Sequence, residues 1–163
     1  MKVGFLNKRH FSVYLLTVLL FLTACQSTGL SRQQVATLQQ QGFDPTEEGW
    51  ELNLSSKLLF EFDNDALGEA GSRKVQEVTR ALVRVGLVRV RLDGHTDSVG
   101  GSEYNVALSH RRASRVAEIM VSSGMLERDI EIRAMGSSRP VVNNDTEEGR
   151  AENRRVSIVV LTP

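Results

Sequence analysis

From residue 52 onward the apolar positions switch between two periods. Leu52 and Leu54 alternate with polar residues, and the run Leu58-Leu59-Phe60-Glu61-Phe62 extends them into a predicted first strand. Residues 63–68 read as a loop. Between Glu69 and Val85 the spacing turns helical, with Val75, Val78, Leu82 and Val85 on one side. Leu87 to Leu92 alternates again: Val88, Val90 and Leu92 face one way, Arg89, Arg91 and Asp93 the other. A second long helix is predicted from about Ser102 to Ser122, stopping near Gly124. On a helical wheel Val106, Ala113, Val116, Ala117 and Met120 fall within an arc of about 100°, its core face. Ile130 to Ala134 reads as a third strand, 136–154 as a long polar loop with a helical turn, and Val156 to Leu161 as the last strand. The order β-α-β-α-β-(loop)-β predicts an α/β fold, a sandwich of one mixed sheet with helices on one face.

Upstream, a short helix is specified at both ends. Ser31 is its N-cap, Gln34 completes a capping box, and Leu30 and Val35 occupy the staple positions. Gly42 is placed to end it, with Phe43 folding back on Leu38. About ten residues make a helix that is marginal alone in water, so it must dock on its own domain or on another protein. Residues 44–51, "DPTEEGWE", read as a turn-rich link whose Trp50 either packs on the domain edge or serves as a recognition anchor.

The first residues obey different rules. Lys2, Lys8 and Arg9 precede an apolar run from Phe11 to Leu22, too short to span a bilayer and fitting a signal sequence. It ends in Leu22-Thr23-Ala24-Cys25, which looks like a bacterial lipobox, with the single cysteine of the chain as the acylated N-terminus. Several acyl chains on Cys25 give stable membrane anchoring where one is marginal. In the bacterial lipoproteins it resembles, Asp after the cysteine favours inner-membrane retention, so Gln26 points to the outer membrane, with the globular part in the periplasm. The expected organisation is a signal peptide at 1–24, a lipidated cysteine, tether and short helix at 25–51, and one domain at 52–163.

Charge narrows the partners. The leader removes three of the 20 basic residues and none of the 20 acidic ones, leaving 17 against 20, a net charge of −3. Nothing in that balance points to nucleic acid. About 138 mature residues suffice for one domain with a real core.

The candidate chemistry lies in "GHTDSVG", Gly94 to Gly100, at the end of the second strand. A metal site finds little support: His95 and His110 are the only histidines outside the leader, and no HxH or HxxxH spacing occurs. Hydrolysis by paired carboxylates among Asp93, Asp97, Glu61 and Asp63 is conceivable, but no serine or cysteine sits in a nucleophile elbow. The third reading is a binding rim. Arg112 lies at the edge of the second helix's apolar arc, in line with Asn105, Leu108 and Ser109, and the loop feeds Asp97 towards that helix's first turns. A carboxylate and a guanidinium on one rim suit a zwitterion, unless they merely bridge each other.

Thr96-Asp97, ten residues, Leu108-Ser109, two residues, Arg112-Ala113, two residues, Val116 resembles the signature of OmpA-like peptidoglycan-binding domains. "FEFD" (Phe60 to Asp63) and "NRRV" (Asn153 to Val156) are similar to that family too, and the likeness covers about 52–161. Met120 departs from it, standing where the pattern usually has Leu. The resemblance implies a non-catalytic domain without cofactor or metal. Asp97 and Arg112 would hold diaminopimelate of the peptidoglycan stem peptide, with Thr96, Asn105, Leu108, Asn153 and Asp63 around the pocket and His95 shaping the loop. Arg154 and Arg155 are expected to be structural, pairing with nearby carboxylates or backbone. Thr28 to Phe60 further resembles outer-membrane lipoproteins of three-part signalling systems. In these, the lipoprotein binds a small periplasmic repressor and frees a diguanylate cyclase, raising cyclic di-GMP. Leu38, Phe43 and Trp50 would then contact the repressor. "FEFDND" at the first strand's end is closer to the general family than to those signalling lipoproteins. The alternative is a structural anchor resembling peptidoglycan-associated lipoproteins.

Overall fold

The computed structural model describes residues 29–60 and 67–161. The leader, Cys25 and Asp63 lie outside them. The elements are α1 (Arg32–Gln41), β1 (Asp44–Thr46), β2 (Gly49–Ser55), α2 (Ser56–Leu59), α3 (Glu69–Arg84), β3 (Val90–His95), α4 (Ser102–Ser122), β4 (Ile130–Gly136), α5 (Glu147–Asn153) and β5 (Arg155–Leu161). The strands form one sheet in the order β1-β2-β5-β3-β4, antiparallel except for the parallel β3–β4 pair. A parallel pair needs a long crossover, and α4 supplies it.

Register explains the core. Leu52 lies opposite Ile158 and Leu54 opposite Val156 across β2–β5, while Leu92 meets Ile158 and Val90 meets Val160 across β3–β5. These seven buried side chains share one face and pack with Val75, Val78 and Leu82 of α3 and Ala113, Val116 and Met120 of α4. The opposite face carries Glu51, Asn53, Arg91, Asp93, Arg155, Ser157 and Val159, as the two-residue side-chain period demands.

Helix α1 forms as its caps dictate. Ser31 and Gln34 make the reciprocal capping box, Gly42 adopts φ 89°, and the amide of Phe43 donates to the Leu38 carbonyl at 2.9 Å. Gln34 Nε2 also donates to the Val85 carbonyl at the end of α3, 3.1 Å away. Leu38 is fully buried and Phe43 2% exposed, both in the domain's own core. Expected as repressor contacts, both face inward in this fold, because α1 turns its one apolar stripe to the domain's own core. Trp50 is half-buried on β2 and packs against the same core.

Four expectations are corrected. The sheet starts at Asp44, eight residues before the expected boundary at 52, because "DPTEEGWE" folds as the hairpin of β1 and β2. The first strand ends at Ser55 instead of running through "LLFEF": the Ser55 hydroxyl caps a helical turn by accepting from the Leu58 amide, and Phe60 meets Leu67 in an isolated bridge. Val106 is 43% exposed, and Asn105 and Ser109 are buried in its stead. The apolar arc of α4 thus begins only at Ala113, since its first two turns bury the polar Asn105 and Ser109 against the 96–100 loop and the glycines at the ends of β3 and β4. The second predicted strand also starts late, at Val90, because Leu87 closes the end of α3 by donating to the Leu82 carbonyl.

Candidate functional site

Gly94 fixes where the loop leaves β3. A Cβ there would sit 2.2 Å from the Ser109 carbonyl oxygen, so only glycine lets the backbones of β3 and α4 approach this closely. The Ser109 hydroxyl accepts from the Gly136 amide at 3.1 Å, and the Gly136 carbonyl accepts from the Thr96 amide at 2.9 Å. Thr96 is thereby pinned and buried, and its hydroxyl donates to the Asp97 carbonyl. Asn105 reaches back from α4 and donates Nδ2 to the Val99 carbonyl at 3.1 Å. The loop 96–100 therefore lies over the first turns of α4, as its sequence position implies.

Asp97 presents a carboxylate whose side chain is 12% exposed. Oδ1 accepts from the Val99 amide at 3.0 Å, and Oδ2 accepts from Arg154 Nη1 at 2.7 Å. Arg154 is itself held on its other side by Glu147, at 2.6 Å. Burial works against the Arg154 charge, but its hydrogen bonds to Asp97 and Glu147 outweigh it and raise its pKa. Glu147, with bonds from Arg154 and Arg150, is lowered. A carboxylate offers about four acceptor positions, so two protein donors leave Asp97 capacity for an outside ammonium.

The other expected rim residues take distinct places. Arg112 is half-buried on α4 with its guanidinium over the Phe60 ring, 5.4 Å from the centroid. Leu108 is half-buried on the same helix. Asn153 is fully buried: Oδ1 accepts from the amides of Val141 and Val142, and Nδ2 donates to the Val142 carbonyl and to Asn144 Oδ1. It fastens the 136–146 loop, and Asn144 Oδ1 in turn accepts from the Ser98 amide at 3.2 Å. Val99, Tyr104, Val106 and Val141 are exposed apolar side chains on these same segments. Arg154 pairs with carboxylates, and one of them is Asp97. The spacing of 57 residues between them left no local signal.

His95 faces the other side of the sheet. It is 4% exposed, and burial, then Arg155 and Arg139, push its pKa down to about 3. The imidazole is neutral at physiological pH and makes no acid–base partner for Asp97. Among the described residues, no group of three or more His, Cys, Asp or Glu side chains could hold a metal ion. No helix there is long and apolar enough to cross a membrane.

Comparison with known proteins agrees with this architecture. The OmpA family model matches residues 59–154. Outer-membrane lipoprotein YfiB of Pseudomonas aeruginosa is 44% identical over 156 residues, covering 93% of each chain. Putative lipoprotein YfiB of Escherichia coli K12 is 36% identical over 158 residues, covering 95% of this chain and 99% of its own. Among solved structures, the peptidoglycan-associated lipoprotein of Burkholderia pseudomallei matches with TM-score 0.57 and 28% identity, over 63% of this chain and 86% of its own. With its mixed sheet, its Thr96–Asp97 loop and a family match over more than half its length, the chain belongs to the OmpA family.

Proposed function

We propose that this outer-membrane lipoprotein, lipid-anchored and facing the periplasm, binds peptidoglycan non-covalently and without catalysis through the rim around Asp97. The observation that carries this reading is the preorganised carboxylate. Asp97 is oriented by the Val99 amide and Arg154, while Thr96, Asn105 and Asn153 hold the surrounding loops. Such a group meets the ammonium of a diaminopimelate end with little reorganisation, and Arg112 supplies the guanidinium for its carboxylate. Names among the relatives, including a peptidoglycan-associated lipoprotein, support the ligand class. The lipid is placed on Cys25, and Asp63 is assigned to the pocket's edge.

A second, signalling role is supported by likeness to the two YfiB lipoproteins over nearly the whole chain, the N-terminal helix included. In that reading the protein sequesters a small periplasmic repressor of a diguanylate cyclase. Leu38 and Phe43 could reach such a partner only if α1 lifted off the core, whereas Trp50 is already at the surface of β2. A purely structural anchor between outer membrane and wall is the competing reading.

Two measurements test these roles. Binding of diaminopimelate-containing muropeptide to the full-length protein in detergent should weaken by about 10-fold or more on Asp97→Ala or Arg112→Ala, since each removes a charge-assisted contact of about 1.5–3 kcal/mol. Unchanged affinity in both would remove the rim assignment. A pull-down from a periplasmic extract should retain a small protein, and its absence would leave the anchor reading alone.

A further inference from the structure

One edge of the sheet is long and open. β4 pairs with β3 on one side, and among the described residues no strand pairs with its other side. The opposite edge, β1, has three residues, whereas β4 has seven. Alternate residues of β4 turn an N–H and a C=O away from the sheet, a template on which another strand can form.

Charge decides what can pair there. On the face turned away from the helices, Glu131 and Arg133 are exposed and bond each other at 2.7 Å. In the β3–β4 register Glu131 lies opposite Arg91 and Arg133 opposite Asp93, so sign alternates both along β4 and across to β3. Charges on an edge ordinarily keep passing strands away. A strand that continues both alternations must bring a cation beside Glu131 and an anion beside Arg133. A second copy of β4, laid antiparallel with Ile132 against Ile132, does so: Arg133 of each copy meets Glu131 of the other. Each row across the four strands then runs Arg91, Glu131, Arg133, Asp93, read from opposite ends in the two rows. Opposite charges set directly across strands stabilise a sheet, and like charges destabilise it.

Other registers fail. Centring the antiparallel pair on Glu131 or on Arg133 sets like charges opposite, and a parallel in-register pair sets Glu131 on Glu131. A slip by one residue turns the second copy over and brings its helices to the first copy's charged face.

The helix side gives an independent sign. Val106 lies against β4, since a Cβ on Gly136 would sit 3.3 Å from its Cγ2. Ala117 and Val121 follow at i+11 and i+15, within about 60° of Val106 on a helical wheel, so all three share that flank of α4. Val106 is 43% and Val121 41% exposed. α4 runs opposite to β4, so one valine lies near each end of the open edge. The antiparallel pair brings the two α4 helices side by side, with Val106 of one copy towards Val121 of the other.

We propose that β4 is a homodimer interface: two copies pair antiparallel about Ile132 and join their five-stranded sheets into one. The contact is isologous and closes on itself, so it does not propagate into a fibre. β3 runs in opposite directions in the two halves, which puts the two Asp97 rims at opposite ends of the dimer. Pairing and muropeptide binding can therefore fail independently.

Sedimentation equilibrium of the full-length protein, with detergent micelles in large excess, provides the test. The parent should dimerise below about 1 mM. Arg133→Glu and Glu131→Arg should each weaken the dimer by about 10-fold or more, because each sets like charges opposite in both rows. An equal mixture of the two variants should form a one-to-one heterodimer, since the acidic edge of one then meets the basic edge of the other. Both side chains are exposed, so neither variant endangers the fold, and muropeptide affinity should be unchanged in both. A parent that stays monomeric at about 1 mM, a single variant that dimerises as tightly as the parent, or a mixture that stays monomeric would overturn the proposal.

Discussion

Lowering the pH from 7 to 5.5 should destabilise the protein by about 1.2 kcal/mol through one side chain, His95. Its imidazole lies at the end of β3, buried, with Arg155 of β5 and Arg139 of the 136–146 loop beside it; Glu51 of β2 and Asp93 of β3 share that face. Burial first, then the two arginines, hold its pKa at about 3 against an ordinary 6.5. Between those values the unfolded chain carries a proton that the folded protein refuses, so stability falls as pH drops through this window. At about 1.36 kcal/mol per pH unit, unfolded-state protonation costs about 0.2 kcal/mol at pH 7 and about 1.4 kcal/mol at pH 5.5. Glu48 and Glu147, both lowered by their arginine partners, push the same way, but only once pH falls below the ordinary carboxylate value of 4.5. The chosen interval therefore isolates the histidine. Urea unfolding followed by the fluorescence of Trp50, the only tryptophan, reads the loss directly. His95→Gln cannot titrate and should show no such difference between the two pH values. If parent and variant lose the same stability, the imidazole is not excluded from charging and the reasoning is wrong.

Other substitutions probe other parts of the molecule. Gly94→Ala forces a methyl group against the Ser109 carbonyl and should cost about 1–3 kcal/mol or more in urea unfolding, since backbone has to move; a neutral outcome would mean that β3 and α4 do not meet there. Leu38→Ala empties a fully buried site and should cost about 2–5 kcal/mol, and a loss under about 1 kcal/mol would show that α1 is not part of the core. Arg154→Gln removes the ion pairs to Asp97 and Glu147. Muropeptide affinity should drop several-fold with the thermal midpoint nearly unchanged, and Arg154→Lys should recover part of it; equal binding by both variants and parent would show that Arg154 does not position the carboxylate.

Much of this protein was determined locally. The caps of α1 and the extents of α3, α4 and β5 follow from residues within a few positions of one another, where side-chain period and capping chemistry act. The same holds for the approach of the Asp97 loop to α4, because only four residues separate the loop's end from Asn105. What the tertiary structure alone decided involves long separations. Asp97 pairs with Arg154, 57 residues on, and Arg91 pairs with Glu48, 43 residues back, as well as with its neighbour Asp93. Whether α1 offers or hides Leu38 depends on α3, which is distant in the chain. The strand expected through "LLFEF" failed because a single cap at Ser55 outweighed apolar alternation, and Val106 failed because a helical wheel knows the direction of a side chain but not what lies opposite it. His95 shows the division most clearly. Its place at a strand end was legible in the sequence, but its neutrality was not, because burial and the two arginines that enforce it arrive from a loop and a strand more than forty residues away.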